Sequence, residues 1–147
     1  MTDRVVTAFA PATVSNVACG FDVLGFALEH PGDEVTARMA PSGVRIDAIT
    51  GDAGRLPRDA AKNTAGIAAQ ALLAAIGERR GVALSITKGL PLSSGLGGSA
   101  ASAAAAVVAV DALFDAHAPM EMLVTAAFEG ERIGAGSAHL DNIAPAI

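Results

Sequence analysis

Pro91-Leu92-Ser93-Ser94-Gly95-Leu96-Gly97-Gly98-Ser99-Ala100-Ala101-Ser102 is the stretch on which the reading of this chain turns. Before it, Val82, Leu84 and Ile86 alternate with Ala83, Ser85 and Thr87, the period of a half-buried strand ending at Lys88. After it, Ser99 to Ala116 is dominated by Ala and Val, which predicts a central, buried helix with Ser99 capping its first turn. A bare turn between strand and helix lets backbone approach an oxyanion while amides of the helix start point toward it. The same residues suit a connector that only permits tight packing of an Ala-rich helix. The helix dipole favours an anion there by about 0.3 to 2 kcal/mol, too little to hold a polyphosphate, so a cation and further donors must contribute.

Two other glycine-loop patterns fit less well. The G-x-x-x-x-G-K-[ST] loop needs a Lys after its last Gly, whereas Ser99 follows Gly98 directly. Gly95-x-Gly97-x-x-Ala100 has the letters of a dinucleotide fingerprint. Its turn, however, starts well after Lys88, and only Asp115 or Glu121, both at helix ends, stand where the acidic partner is required.

Outward from the loop, the first third reads as short strands, Val5 to Ala10, Asp22 to Leu28, Glu34 to Met39 and Val44 to Ile49, with an antiparallel arrangement expected. Pro11, Pro31-Gly32 and Pro41-Ser42-Gly43 punctuate them. Helical spacing of Ile67, Ala71, Leu72, Ala75 and Ile76 predicts a helix between Asp59 and Gly77, making the Val82 to Lys88 strand the fifth. Pro119 opens a third helix running to Ile133 or Gly134, with Leu123, Ala127 and Phe128 on its core side. The last residues, from Ser137 to Pro145, place polar groups beside apolar ones and receive no element.

The chain has 147 residues, enough for one core. Ten Lys plus Arg against 15 Asp plus Glu give a net charge of −5, which argues against nucleic acid or anionic lipid as partner. An apolar fraction of 52% excludes a disordered chain, and 3% aromatics with abundant Ala point to close backbone packing. One cysteine, Cys19, excludes an internal disulfide and makes a reducing, cytoplasmic compartment the expectation. Val17-Ala18-Cys19-Gly20 looks like a lipoprotein box, but Asp3, Pro11, Ser15 and Asn16 break the segments that an export signal requires. The uncharged run between Lys88 and Asp111 contains Gly, Ser and Pro91, so it is not read as a membrane span.

Three stretches carry a resemblance. They are Ala10-Pro11-Ala12-Thr13-Val14-Ser15-Asn16-Val17-Ala18-Cys19-Gly20-Phe21-Asp22, the loop above, and Gly136-Ser137-Ala138-His139-Leu140-Asp141-Asn142-Ile143-Ala144-Pro145-Ala146. In that order the chain resembles the GHMP small-molecule kinases, and closely the homoserine kinases among them, over essentially its whole length. The Gly-Leu-Gly-x-Ser-Ala-Ala core is common to the superfamily; His-x-Asp-Asn-x-Ala-Pro is the more particular signature. The resemblance implies a two-layer α/β (α+β) domain similar to the second domain of ribosomal protein S5, spanning residues 1–147 and binding ATP and acceptor. It also implies a ferredoxin-like carboxy-terminal domain absent from this sequence, which therefore reads as a truncated, by itself inactive, part of a kinase.

What the family does implies the roles. The expected reaction is ATP-dependent phosphorylation of the side-chain hydroxyl of L-homoserine, a step of threonine biosynthesis, with Mg2+ bridging nucleotide oxygens. Pro91, Leu92, Ser93, Ser94, Gly95, Leu96, Gly97, Gly98, Ser99, Ala100 and Ala101 would cradle the phosphates. Ser99 and Glu131 would hold magnesium, a hard cation that takes oxygen ligands. Glu129 lies elsewhere on the helix and serves as a control. Asn16 and Asp22 match positions that hold the amino acid's polar groups, a carboxylate facing an ammonium being a charge-assisted pair; Asp22 is equally a turn cap. Asp141 contacts or deprotonates the hydroxyl and Asn142 orients it; relatives support this Asp with a first-strand Lys, and Arg4 with Val5 to Phe9 supply none. Asn63 matches the adenine side and is equally a helix cap. Gly98 stands where many members have Ser, and Cys19 where many have Pro. His30, His117 and His139 show no metal spacing, and Met120 and Met122 suit packing. Shikimate or mevalonate as acceptor, and a nucleotide-binding module without catalysis, are the alternatives. A homodimer is left open, with no nucleic acid or membrane partner.

Overall fold

A computed structural model describes residues 4–134 and 140–147. The Gly136 to His139 part of the third motif lies outside the described residues. Four strands, β1 (Val5–Val17), β2 (Gly20–Ala40), β3 (Val44–Thr50) and β4 (Gly81–Thr87), form one sheet in the order β1-β2-β4-β3. Helices α1 (Thr64–Ala75), α2 (Gly98–Phe114), α3 (Met120–Gly134) and α4 (Leu140–Ala146) complete the described part, with a short 3-10 turn at Ala60–Lys62.

Alternation builds the sheet. Ala8, Ala10 and Ala12 of β1 and Asp33, Val35 and Ala37 of β2 are buried, while Phe9 and Glu34 between them are exposed. Central β4, paired with β2 on one edge and β3 on the other, carries a nearly continuous buried run, Val82, Ala83, Leu84 and Ile86. Helix α2 lies on the buried face of β1 and β2, and Ala100 to Val107 along it are almost wholly buried. Methyl side chains let α1 and α3 close in: a Cβ on Gly130 would stand 2.5 Å from the Thr64 carbonyl oxygen and 2.8 Å from the Ala68 Cβ.

Several expectations need correction. The strands are not all antiparallel: β3 pairs parallel to β4, because helix α1 rather than a tight turn connects them. Asp22 to Leu28 and Glu34 to Met39 are one strand, β2, running through the cis His30–Pro31 bond, so the Val82 strand is the fourth and not the fifth. Pro11 pairs with Gly32, next to a register shift between Pro11 and Thr13, where a missing amide costs the ladder least. Helix α2 begins at Gly98 and ends at Phe114, where Asp115 turns left-handed at φ 55°. The third helix stands where its Pro119 start predicts it, with Met122 N–H donating to the Pro119 carbonyl at 2.8 Å. Asp141 to Pro145, given no element in the sequence, forms helix α4. No helix of the described residues is long and apolar enough to cross a membrane.

Candidate nucleotide and acceptor site

The glycine-rich loop leaves β4 and turns into α2 at Gly97, the N-cap, in the left-handed conformation (φ 67°, ψ 29°). A Cβ there would fall 2.1 Å from Thr13 Oγ1 and 3.0 Å from Asn142 Oδ1, so backbone freedom and space both demand glycine. Ser99 is therefore not the cap, which must precede the first helical residue: it is the second residue of α2, and its hydroxyl donates to Glu131 Oε1 at 2.9 Å. Among the described residues no side chain caps the helix start, which leaves its first amides to be satisfied from outside the helix.

A cavity of about 510 Å³ opens against this start, within the range of small-molecule sites. The loop side consists of Pro91 to Gly95, Gly97, Gly98 and Ser99; the opposite side is Arg55, Leu56, Pro57, Lys62, Asn63 and Thr64; Ile86, Lys88, Ser102 and Glu131 complete it. Leu96 packs toward the core, and Ala100 and Ala101 are buried in α2, so these three support the loop from behind. Asn63 caps α1, its Oδ1 accepting from Ala65 N–H at 3.0 Å while its Nδ2 donates to the Pro57 carbonyl at 3.0 Å. That leaves it as a wall that ties Pro57 to the helix. Asp52 shapes the same wall: its carboxylate accepts from the Leu56 and Gly54 amides at 3.0 and 3.1 Å, and the Leu56 bond first of all holds its pKa below the usual carboxylate range.

On the other side of Gly97 lie the residues expected to meet the acceptor. Thr13 Oγ1 donates to Asn142 Oδ1 at 2.8 Å, Asn142 Nδ2 donates to Ser15 Oγ at 3.1 Å, and the Thr13 amide holds the Leu96 carbonyl at 3.1 Å. Asn16, at φ 58°, accepts from the Asp22 amide at 2.9 Å, and its Nδ2 reaches Ser15 Oγ at 3.4 Å. The loop is thus shared between the cavity and a polar chain running from Asn142 to Asp22. Asp141 is buried beneath, and both of its carboxylate oxygens lack a hydrogen-bond partner among the described residues. Its carbonyl presses on Gly25, where a Cβ would lie 1.8 Å away. A buried carboxylate without partner is costly unless a donor or cation arrives.

The geometry brings Ser99 and Glu131 together, and two oxygen donors facing the cavity suit a hard divalent cation that keeps waters and takes phosphate oxygens. Glu129 is turned to Arg132 Nη2 at 2.8 Å on the exposed face. Sequence reasoning missed Thr13 and Ser15, whose hydroxyls carry no local signal. It also missed the ion pair of Lys88 and Asp33, whose side chains are 2% and 0% exposed. A signal for that pair existed. Lys88 extends the buried series Val82, Leu84, Ile86 by one more step of two, and Asp33 begins the series Asp33, Val35, Ala37.

Residues 63–147 match the family profile described as GHMP kinases N terminal domain. The chain is 51% identical to the homoserine kinase of Chlorobium phaeobacteroides over 98% of its own length and 48% of that protein, and 49% identical to that of Chloroherpeton thalassium over 98% and 49%. It superposes on the crystal structure of homoserine kinase from Cytophaga hutchinsonii with a TM-score of 0.93 at 50% identity, covering 99% of this chain and 46% of that one. The chain spans about half the length of the curated relatives it matches.

Proposed function

The chain belongs to the GHMP kinase family, as part of its amino-terminal region, and from that membership we propose that it supplies the nucleotide and acceptor sites for phosphorylation of the L-homoserine side-chain hydroxyl by ATP. The observation that carries this reading is the position of Gly97. It stands between an uncapped helix start facing the cavity and Asn142, so a terminal phosphate at that start and a hydroxyl held by Asn142 would be adjacent.

In this reading the polyphosphate lies along the loop, with amides of the α2 start as donors and the base toward Pro57 and Asn63. Ser99 and Glu131 would hold Mg2+, which neutralises the phosphate charge that grows as the bond to the leaving oxygen breaks. Asn142, fixed by Thr13 and Ser15, orients the acceptor hydroxyl. The buried Asp141 accepts a hydrogen bond from the acceptor hydroxyl or ammonium, and takes the hydroxyl proton as the new phosphorus–oxygen bond forms. Asp22 faces the ammonium from the end of the polar chain. Alignment and charge neutralisation supply most of the rate in such a transfer.

The test has two arms. Calorimetric titration of the chain with MgATP should show one saturable site, weakened in Ser99→Ala and Glu131→Gln. The full product of its gene should release ADP with L-homoserine and not with shikimate or mevalonate. Absence of nucleotide binding rejects the reading, turnover of another alcohol corrects the acceptor, and binding without turnover assigns a non-catalytic module.

A further inference from the structure

The chain contains two lysines, and one of them, Lys88, lies inside it with all three hydrogens engaged. Its Nζ donates to Asp33 Oδ2, to the Gly98 carbonyl at 2.7 Å and to Ser102 Oγ at 2.9 Å. Asp33 in turn accepts from the amides of Gly89 and Leu90 at 3.0 and 3.2 Å through Oδ1, and from Ser102 Oγ at 2.7 Å through Oδ2. Gly89 and Leu90 enter the glycine-rich loop, and Gly98 leaves it. One carboxylate and one ammonium therefore hold both ends of the loop, and the carboxylate comes from β2, a different strand from the one the loop continues.

A lysine at the wall of a cavity read as a nucleotide site invites assignment as a phosphate ligand. The geometry says otherwise: Lys88 has no hydrogen left to donate, and Asp33 already compensates its charge. We propose that Asp33, Lys88 and Ser102 are positioning residues that set the spacing between the two ends of the loop, so that the α2 amides are aimed before any nucleotide arrives. This rests on the nucleotide reading of the cavity, but its first consequence exists without ligand. Buried polar groups that satisfy one another completely specify one arrangement, whereas a half-satisfied set does not. The loop has no side-chain cap of its own, so this unit supplies the constraint that a cap would otherwise supply.

The experiment uses Asp33→Asn, Lys88→Met and the milder Ser102→Ala, which keeps the ion pair and serves if the first two fail to fold. In ligand-free protein, hydrogen exchange at the Gly89, Leu90 and Ala101 amides should accelerate by about tenfold, the weight of one charge-assisted hydrogen bond, while Ala68 to Leu73 in α1 stay unchanged. Affinity for MgATP should fall by about tenfold or more, while affinity for adenosine, which lacks phosphates, changes less than about twofold. The double variant Asp33→Asn/Lys88→Met restores charge balance, so it should regain thermal stability relative to either single variant without regaining the ATP preference. Loop exchange identical to wild type, or equal losses for ATP and adenosine, overturns the proposal. A wild-type chain that binds no ATP rejects the nucleotide reading alone, and the exchange experiment still decides the role of the three residues.

Discussion

The hydroxyl of Thr13 donates to Asn142 Oδ1 at 2.8 Å across 129 positions of sequence, and both atoms lie where a side chain on Gly97 would have to be. The contact joins the edge strand β1, the last described helix and the start of α2 at one point. It makes the turn at Gly97 and the side-chain amide of Asn142 a single packed unit.

Gly97→Ala should therefore cost more than Gly95→Ala. Both positions have positive φ, 67° and 76°, and each pays about 1 kcal/mol for an L side chain there. At Gly97 the new Cβ also collides with Thr13 and Asn142, while no atom of the described residues lies within 4 Å at Gly95. Urea unfolding should separate the two by about 1 to 3 kcal/mol, in line with other overpacked sites. Equal values would mean that the polar pair moves aside freely.

Thr13→Val keeps the shape and removes the donor, leaving Asn142 Oδ1 part-buried and unmatched. A loss of about 1 to 3 kcal/mol is expected, and a double-mutant cycle with Asn142→Ala should return a coupling of about 1 kcal/mol. Additive effects would show that the contact contributes no stability. In the full gene product, Asn142→Ala should raise the KM for the acceptor far more than that for ATP.

Ser99→Ala and Glu131→Gln should each lower kcat of the full gene product by about a hundredfold or more, the scale of losing one preorganised electrostatic contact. Glu129→Gln, which disturbs only the exposed pair with Arg132, should stay within about twofold of wild type. Steady-state kinetics at saturating magnesium reads all three. Equal activities would remove the metal assignment.

Acid should act through Glu78, in the turn between α1 and β4. Hydrogen bonds from the Arg80 side chain first, then from the Arg80 amide, lower its carboxyl to about 2. A depressed carboxylate pKa contributes stability that is complete above the unfolded value of about 4.5 and is lost as pH falls toward 2. Glu78→Gln should therefore be less stable than wild type at pH 6 and should flatten the stability curve between pH 5 and 2. Parallel thermal-melt profiles for the two proteins across that window would refute the assignment.

Gly130→Ala tests the helix contact behind the site. Helix propensity alone favours Ala by about 1 kcal/mol. The Cβ would lie 2.5 Å from the Thr64 carbonyl, so α1 and α3 must separate, at about 1 to 3 kcal/mol. Net destabilisation, read from the thermal midpoint, is the expected sign, and stabilisation would show that the helices have slack.

Local chemistry wrote much of this protein into its sequence. Period-two alternation marks β4, Pro119 marks the start of α3, and the run of small residues before an Ala-rich helix marks the loop, since each depends on neighbours a few positions away. Ser99 and Glu131 were likewise legible once the family pattern was seen, and they meet at 2.9 Å. The sequence did not reveal that Pro31-Gly32 lies inside one long strand rather than ending one, because strand pairing with β1 overrides turn propensity there. Nor did it reveal that β3 and β4 run parallel. Tertiary structure alone paired Asp33 with Lys88 and Thr13 with Asn142. Lys88 and Asp33 each sit at a buried step of their strand's alternation, but no segment names its partner, and only the register of β2 against β4, and the docking of α4 on β1, brings the partners within reach. Side-chain partners at long sequence separation depend on strand register, which the whole buried face sets together rather than any one segment.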